Sequence, residues 1–210
     1  MPNEAIVHVI DDDEAVRDSL AFLFDSAELP VTTHESAVAF LANLPEHIDG
    51  CIVTDVRMPE MSGLDLLNDL RNRGVSAPVV IITGHGDVPL AVEAMKSGAY
   101  DFLEKPFDDE RLLEIVRRAI QTPRQQGEGA ASGEQAEVRS RIMRLSQRER
   151  QVLKRLVEGQ LNKTIAWELG ISARTVEVYR AKLMAKMEAN AFADLVRMAL
   201  LAGPIDEDQP

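Results

Sequence analysis

Five polar side chains stand where short β-forming runs end, and together they could bind and transfer a phosphoryl group. They are Asp11 and Asp12 after the run 5–10, Asp55 after 51–54, Thr83 after 79–82 and Lys105 after 100–104. Three carboxylates in one crevice repel one another unless a cation lies among them. A few hard oxygen ligands with room for water favour Mg2+. A metal and an ammonium beside one carboxylate make a phosphoryl site, because that transfer depends mainly on positioning and charge neutralisation.

The spacing of these runs would bring the five side chains together. Stretches of helix length separate the runs, which predicts a parallel sheet of the α/β doubly wound class. The carboxyl ends of the strands share one edge of such a sheet, and ligands bind in the crevice there. Asp55 is then the natural phosphoryl acceptor, because carboxylates act as phosphoryl nucleophiles. The hydroxyl of Thr83 could donate to a phosphoryl oxygen.

Each of these residues also has an explanation without chemistry. An acidic triplet after a strand is often a solvated loop, and a lone Asp at a strand end is often a helix N-cap. We expect Asp13, the third acid of the triplet, to be such an N-cap or a solvated side chain. The occurrence of the other five residues at strand ends in one order favours a functional site.

Residues 1–123 resemble the receiver domain of bacterial two-component response regulators. The resemblance implies a flavodoxin-like fold with five parallel strands, and an ordered set of motifs of this kind is specific although each motif alone is weak. The motifs are Asp11-Asp12, Asp55 with Met58-Pro59 and Gly63, Thr83-Gly84, and Lys105-Pro106-Phe107.

The receiver resemblance also implies a role for each residue of the site. Asp55 would accept phosphate from a sensor histidine kinase, and Lys105 would pair with the phosphoryl group, its bond to Pro106 being cis. Thr83 and Phe102 would form the conformational switch. The implied Mg2+ ligands are Asp11, Asp12, Asp55 and the backbone carbonyl of Arg57.

The same resemblance implies that two receivers pair when phosphorylated. The predicted helix 88–96 would lie on the pairing face, with Leu90, Val92 and Lys96 as the candidate contacts. One of Leu90 and Val92 could be an exposed anchor, or both could be buried core, and the helical pattern does not decide between these alternatives.

The charge of the chain is divided unevenly between its two halves. Net charge is −12 over 210 residues, but residues 1–123 carry −14 and residues 145–203 carry +4. A short basic domain beside an acidic one is expected when only the basic domain meets nucleic-acid phosphates. No signal peptide or transmembrane run is evident, and the single cysteine, Cys51, excludes an intramolecular disulfide, so we expect a cytoplasmic protein.

Composition suggests four segments. A receiver over 1–123 is followed by a linker over 124–141, a helical domain over 142–203 and an acidic tail over 204–210. Residues 125–133 have the composition of a flexible linker. Residues 134–144 are better helix formers and could be a docking helix or a solvated spacer.

Residues 142–203 have the pattern of a small all-α domain of four helices. Ser146 and Glu149 form a capping box, and Gly170 makes a tight turn before a polar helix, which together favour helix-turn-helix. The phrases Leu-Ser-x-Arg-Glu from Leu145 and Asn-Lys-x-Ile-Ala from Asn162 resemble the LuxR-type DNA-binding domain. The two domains together resemble the NarL/FixJ class of response regulators, and within it those of nitrogen fixation.

This class resemblance implies a transcription activator that forms a homodimer on phosphorylation. Its partners would be a FixL-like histidine kinase, promoter DNA and RNA polymerase, with no membrane contact. We expect Val176, Leu183 and Met187 to be core, and Glu177 either to accept from a cytosine or to face a neighbouring arginine. The candidate DNA contacts are Lys163, Arg174, Thr175, Val178, Arg180 and Lys182.

We expect no enzyme activity beyond self-phosphorylation and self-dephosphorylation. Three alternatives stay open from the sequence. They are a flavodoxin-like or phosphohydrolase enzyme, for which neither a cofactor loop nor a further catalytic acid is visible, a regulator that acts through protein contacts without phosphorylation, and a helix-turn-helix that binds protein or RNA.

Overall fold

The computed structural model describes residues 5–45, 47–84, 88–121 and 128–206. Its chain divides into two compact units. One consists of residues 1–86 and 97–124, and the other of residues 87–96 and 125–210. Among the described residues, no helix has both the length and the apolar character needed to cross a membrane.

The first unit is built on a sheet of five parallel strands in the order β2-β1-β3-β4-β5. This order confirms the predicted α/β doubly wound fold. The strands alternate with helices along the chain, as a parallel sheet requires. The strands are β1 (Ile6–Ile10), β2 (Val31–His34), β3 (Gly50–Asp55), β4 (Val79–Thr83) and β5 (Asp101–Glu104).

In the described part of the first unit there are four helices. On one side of the sheet, Leu20 and Phe24 of the first helix and Ile115 of the last pack with strand residues such as Val53. Cys51 is fully buried in β3, and this burial raises the pKa of its thiol to about 12, in keeping with the small apolar role of a buried cysteine. The helices are α1 (Glu14–Ser26), α2 (Ala37–Ala42), α3 (Gly63–Asn72) and α5 (Asp109–Gln121).

The second unit is helical. Its core contains Val152, Leu156, Val176 and Leu183, all of them fully buried. Val176, Leu183 and Met187 were predicted to be core, and all three are fully buried. The helices of this unit are α4 (Val88–Lys96), α6 (Glu128–Met143), α7 (Gln147–Val157), α8 (Asn162–Leu169), α9 (Ala173–Met187) and α10 (Phe192–Ala202).

Local signals fix where the helices of the second unit begin and end. Ser146 and Glu149 form the predicted capping box at the start of α7, and Ser172 caps α9 by accepting a hydrogen bond from the backbone of Thr175. Gly170 ends α8 at φ 64°, in the left-handed region that glycine enters without steric cost. The predicted helix–tight turn–helix arrangement is present as α8 and α9.

Helix α6 covers most of the segment predicted as a linker. Val138 and Ile142 are buried in the same core as α7 and α9, so residues 134–143 form a docked helix rather than a solvated spacer. Residues 124–127 of the predicted linker and 207–210 of the predicted acidic tail lie outside the described residues. The domain boundaries themselves stay a prediction.

Candidate functional site

The register of the sheet aligns the strand ends that carry the predicted site. Ile10 pairs with Thr54, so Asp11 and Asp55 follow at neighbouring ends of β1 and β3. Thr83 pairs with Glu104, which brings Lys105 next to the end of β4. The convergence expected from the sequence is therefore present at one edge of the sheet.

Lys105 joins two carboxylates at this edge. Its Nζ lies 2.8 Å from Asp55 Oδ1 and 2.9 Å from Asp11 Oδ2. Asp11 is only 4% exposed and Asp55 only 8%, so these are ion pairs of low solvent access. Burial alone would lower the pKa of Lys105, but hydrogen bonds to Asp55 and Asp11 outweigh it and raise the pKa. The ammonium is thus fixed in its charged form between two anions.

The backbone around Asp55 also shapes the acceptor. Asp55 Oδ2 accepts a 2.6 Å hydrogen bond from the backbone N–H of Arg57. Gly63, at the start of α3, donates from its N–H to Val56 O at 2.9 Å. A Cβ on Gly63 would clash with the carbonyl oxygen of Asp55, which explains why the motif has glycine there. Both oxygens of the Asp55 carboxylate are therefore held by donors.

The acidic residues after β1 have three different environments. Asp11 is buried, Asp12 is exposed, and Asp13 caps α1 by accepting from the backbone N–H of Ala15 at 2.9 Å. The N-cap expectation for Asp13 is confirmed. In the part of the chain that is described, no group of three or more His, Cys, Asp or Glu side chains is arranged around a metal position.

The donor chemistry nevertheless suits a hard divalent cation. Buried Asp11 and Asp55 and exposed Asp12 supply carboxylate oxygens at one sheet edge, and no softer sulfur or imidazole ligand is among them. A small open set of this kind matches Mg2+, which keeps several of its waters, better than a metal that needs a closed protein cage.

The predicted switch residues are buried. Thr83 is fully buried, and its backbone carbonyl accepts a 2.7 Å hydrogen bond from Lys105 N, which ties the end of β4 to the Lys105 loop. Phe102 is 8% exposed in β5, which β4 separates from Asp55 and β3. The Lys105–Pro106 peptide bond is cis, as expected.

The second candidate surface is the exposed face of α9 in the second unit. Arg174, Glu177 and Lys182 are exposed, and the apolar side chain of Val178 is 50% exposed. Lys163 is exposed on α8. An exposed polar helix that follows a tight turn has the form of a recognition helix for the major groove.

Residues 7–117 match the family model for the response regulator receiver domain, and residues 143–199 match that for bacterial regulatory proteins of the luxR family. The chain belongs to the response regulators. Regulation of transcription through phosphorylation is the function of this family, and the two matched domains are those that it requires.

Relatives of this response regulator match it along its whole length. It is 59% identical to the transcriptional regulatory protein FixJ of Azorhizobium caulinodans over 100% of both chains. It is 50% identical to FixJ of Bradyrhizobium diazoefficiens over 99% of this chain and 100% of that one. The crystal structure of full-length FixJ from B. japonicum is 51% identical, covers 95% of this chain and 98% of its own, and gives a TM-score of 0.53.

Not every predicted contact of this response regulator lies at its surface. Arg180 is half-buried, with its guanidinium 5.0 Å from the centre of the Phe192 ring and NH1 3.4 Å from Asn162 Oδ1. Burial lowers the pKa of Arg180, while the charge of Glu177 acts in the opposite direction. Glu177 itself is exposed, so its two expected environments, a cytosine or a neighbouring arginine, both stay predictions.

The remaining predicted contact residues also include both buried and exposed side chains. Thr175 is partly buried, and its hydroxyl lies 2.7 Å from that of the Ser172 cap. On the predicted pairing helix α4, Val92 is only 2% exposed whereas Leu90 is half-buried and Lys96 is exposed. Val92 is therefore core in this structure, and Leu90 and Lys96 stay candidates for a pairing face.

Sequence reasoning missed side chains that bond to backbone carbonyls. Arg17 NH1 lies 2.8 Å from the carbonyl oxygen of Asp11. On α6, Gln135 donates to Leu201 O, Arg139 to Ala202 O and Arg141 to Met187 O, at 2.8 to 2.9 Å. The donor residues are visible in the sequence, but a backbone acceptor leaves no residue type that could have indicated the pair.

Proposed function

We propose that Asp55 accepts a phosphoryl group from a sensor histidine kinase and that the phosphorylated protein dimerises and activates transcription. The observation that supports this most directly is Lys105, whose ammonium contacts Asp55 and Asp11 at 2.8 and 2.9 Å. A positive charge held at the acceptor carboxylate is what transfer of a dianionic group requires.

In the transfer step, an oxygen of Asp55 attacks phosphorus while the bond from phosphorus to the kinase histidine breaks. The imidazole leaves with the electron pair of that bond, and Asp55 becomes an acyl phosphate. Hydrogen bonds to Asp55 and Asp11 raise the pKa of Lys105, so its ammonium is charged and offsets the negative charge of the incoming phosphoryl group. The N–H of Arg57 fixes the orientation of the attacking carboxylate.

The proposed cofactor is Mg2+. Asp11, Asp12, Asp55 and the backbone carbonyl of Arg57 would hold it, and when bound it neutralises charge on the phosphoryl oxygens. Asp11 is already fixed on both sides of its carboxylate, because Oδ1 accepts from Asp13 N at 2.9 Å and Oδ2 from Lys105.

The proposed output uses the two units in sequence. Thr83 would bond to the phosphoryl group and Phe102 would respond to its movement. This change would favour pairing of two chains through the face of α4 that carries Leu90 and Lys96. Pairing makes the second DNA contact intramolecular and so raises its effective concentration. Two-fold pairing also calls for an operator with two half-sites about one helical turn apart.

The DNA-binding role is assigned to the exposed side chains around α9. Arg174, Lys182 and Lys163 would contact phosphates or bases, and Val178 could pack on a thymine methyl group. From the identity to the FixJ proteins, we propose promoters of nitrogen-fixation type, a FixL-like kinase and RNA polymerase as partners, and a cytoplasmic location.

Phosphate incorporation tests the acceptor. We expect Asp55→Asn to abolish labelling by acetyl phosphate, because the substitution is isosteric but removes the nucleophilic charge. Asp69→Asn is the matched control, because Asp69 lies on α3 outside the pocket and pairs with Arg73 at 2.6 Å. The Asp69→Asn protein should be labelled to the same extent as the wild type. Normal labelling of Asp55→Asn would refute the assignment.

Beryllofluoride separates this proposal from a regulator that works without phosphorylation. With Mg2+ present, the wild-type chain should bind the phosphoryl mimic and become a dimer in analytical ultracentrifugation. A chain that stays monomeric and binds neither ion would instead support regulation through protein contacts alone.

A further inference from the structure

We infer that Arg17 is a positioning residue that holds the acidic loop ready for the divalent cation and offsets charge in the phosphorylated pocket. This inference rests on the proposed function, since it concerns the same site. Arg17 lies in α1, and its half-buried guanidinium donates from NH1 to the carbonyl oxygen of Asp11 at 2.8 Å.

The start of α1 explains how Arg17 reaches this carbonyl. Asp13 is the N-cap, and the backbone N–H of Arg17 donates to Asp13 O at 3.1 Å in the first turn. Side chains on a helix lean toward its N-terminus, so the Arg17 side chain extends back along the helix toward the end of β1. It therefore meets the backbone of Asp11 rather than solvent.

Asp11 is consequently fixed at each of its polar atoms. Its N–H donates to His34 O at 3.3 Å, and its carbonyl accepts from Arg17. Its two carboxylate oxygens accept from Asp13 N and from Lys105 Nζ, each at 2.9 Å. Of these four bonds, only those from Lys105 and Arg17 bring a positive charge.

The sequence shows why a positive charge matters here. Residues 11–14 are four consecutive acids, which repel one another and would favour an open loop. Arg17 is the only Lys or Arg among residues 1–56, a segment with twelve Asp and Glu residues. Its guanidinium is the nearest basic group along the chain, and the bond to Asp11 O directs it onto the loop itself.

Arg17 also completes the charge balance of the pocket. With Mg2+ bound, the charges of three carboxylates, Lys105 and the metal cancel. Phosphorylation replaces the single charge of Asp55 by a group of about −2, which leaves excess negative charge. The Arg17 guanidinium, hydrogen-bonded to the backbone of the neighbouring Asp11, supplies the further positive charge that would offset this excess.

Direct titration with Mg2+ tests the positioning role without any phosphoryl donor. Mg2+ is added to the full-length 15N-labelled chain, and the backbone amide shifts give its affinity. We expect Arg17→Gln to weaken Mg2+ binding by about tenfold, the lower end of what loss of a group that holds a metal ligand causes. Arg17→Lys, which keeps the charge and one donor, should recover part of this loss.

Arg71→Gln is the matched control. Arg71 also donates from a guanidinium to a backbone carbonyl, that of Gly98 at 2.5 Å, but in a part of the same unit remote from Asp55 along the strands. Its removal should leave Mg2+ affinity unchanged. At saturating Mg2+, Arg17→Gln should still bind beryllofluoride more weakly than the wild type, whereas Arg71→Gln should bind it equally.

The outcomes separate the two proposals. If the wild type binds neither Mg2+ nor beryllofluoride, the proposed function fails and this inference fails with it. If the wild type binds both and Arg17→Gln binds Mg2+ equally or more tightly, the inference alone is wrong. A lower urea midpoint of Arg17→Gln with unchanged Mg2+ affinity would show that Arg17 contributes to the stability of the fold and has no role in Mg2+ binding.

Discussion

The acceptor pocket and the exposed face of α9 both use charged side chains, but they position them by opposite means. In the pocket, Asp11, Asp55 and Lys105 come from three strand ends, are largely shielded from water, and contact one another. On α9, Arg174 and Lys182 belong to one helix, about two turns apart, and are exposed to solvent. The register of the sheet determines where the pocket side chains lie, whereas local packing determines which side chains of α9 are exposed and could contact DNA.

This difference has an energetic consequence. A buried ion pair cannot lose one partner without leaving an uncompensated charge, so single substitutions in the pocket should have large and specific effects. Exposed cations near DNA act mainly through screened interactions with phosphates, and each contributes a modest, salt-dependent share. The predictions below measure that contrast, beginning with the largest effect.

Removal of the Lys105 ammonium should have the largest effect. In Lys105→Met the buried carboxylates of Asp11 and Asp55 lose the cation that joins them. We expect phosphorylation by acetyl phosphate to slow by about 10²- to 10³-fold at saturating Mg2+, as for loss of a preorganised charge at a transferring group. DNA binding by the unphosphorylated chain should be unchanged. A rate within threefold of the wild type would mean that the pocket does not depend on this charge.

The sequence predicted the pocket better than it predicted α9, and the reason is physical. Strand order alone places Asp11, Asp55, Thr83 and Lys105 at one edge, because parallel strands share the direction of their carboxyl ends. No comparable rule says whether a basic residue of a helix points to solvent or folds onto a neighbour. Arg180 lies on Phe192, a ring from α10 that the helical pattern of α9 cannot reveal.

Helix α6 shows the same limit. Among residues 133–143, whose side chains are described, only Val138 and Ile142 are buried. They are too few to make an apolar stripe that distinguishes a docked helix from a spacer. Its contacts with α9 and α10 run instead through side chains such as Arg139, which donates to Ala202 O. A cation near the C-terminus of a helix stabilises the exposed carbonyls there. Such a contact between two helices can be predicted only when their arrangement is already known.

The pair Arg174 and Arg180 tests how α9 uses its cations. Arg174→Ala should weaken binding to a DNA fragment selected from a random library by about 1–3 kcal/mol and reduce the salt slope by about 1. Arg180→Ala should lower the free energy of unfolding of the second unit by about 1 kcal/mol through loss of the Phe192 contact, without a change in salt slope. An equal drop in salt slope for both variants would show that Arg180 turns to DNA on binding.

The smallest effect concerns a pair of histidines on β1 and β2, of which His34 also accepts a hydrogen bond from the Asp11 N–H through its backbone oxygen. His8 Nδ1 lies 3.3 Å from His34 Nε2, and both rings pack on Phe40. Burial lowers the pKa of His8 from 6.5, with the charge of His34 adding to the effect, and burial lowers the pKa of His34. The unfolded chain therefore takes up protons that the folded chain does not, and stability should fall as pH drops below 6.5.

All four histidines lie within residues 1–85, and the single tryptophan, Trp167, lies in the second unit, so the two units can be followed separately. Between pH 7 and pH 5.5, roughly the range in which only histidine changes charge, the urea midpoint of the first unit should fall, as followed by the backbone amide NMR signals of its strands. The Trp167 fluorescence transition of the second unit should not move. His8→Asn, which removes one titrating ring and leaves a polar group, should flatten the pH dependence of the first unit. A parallel loss in the Trp167 transition would contradict the assignment of this sensitivity to His8 and His34, because no histidine lies in residues 125–210.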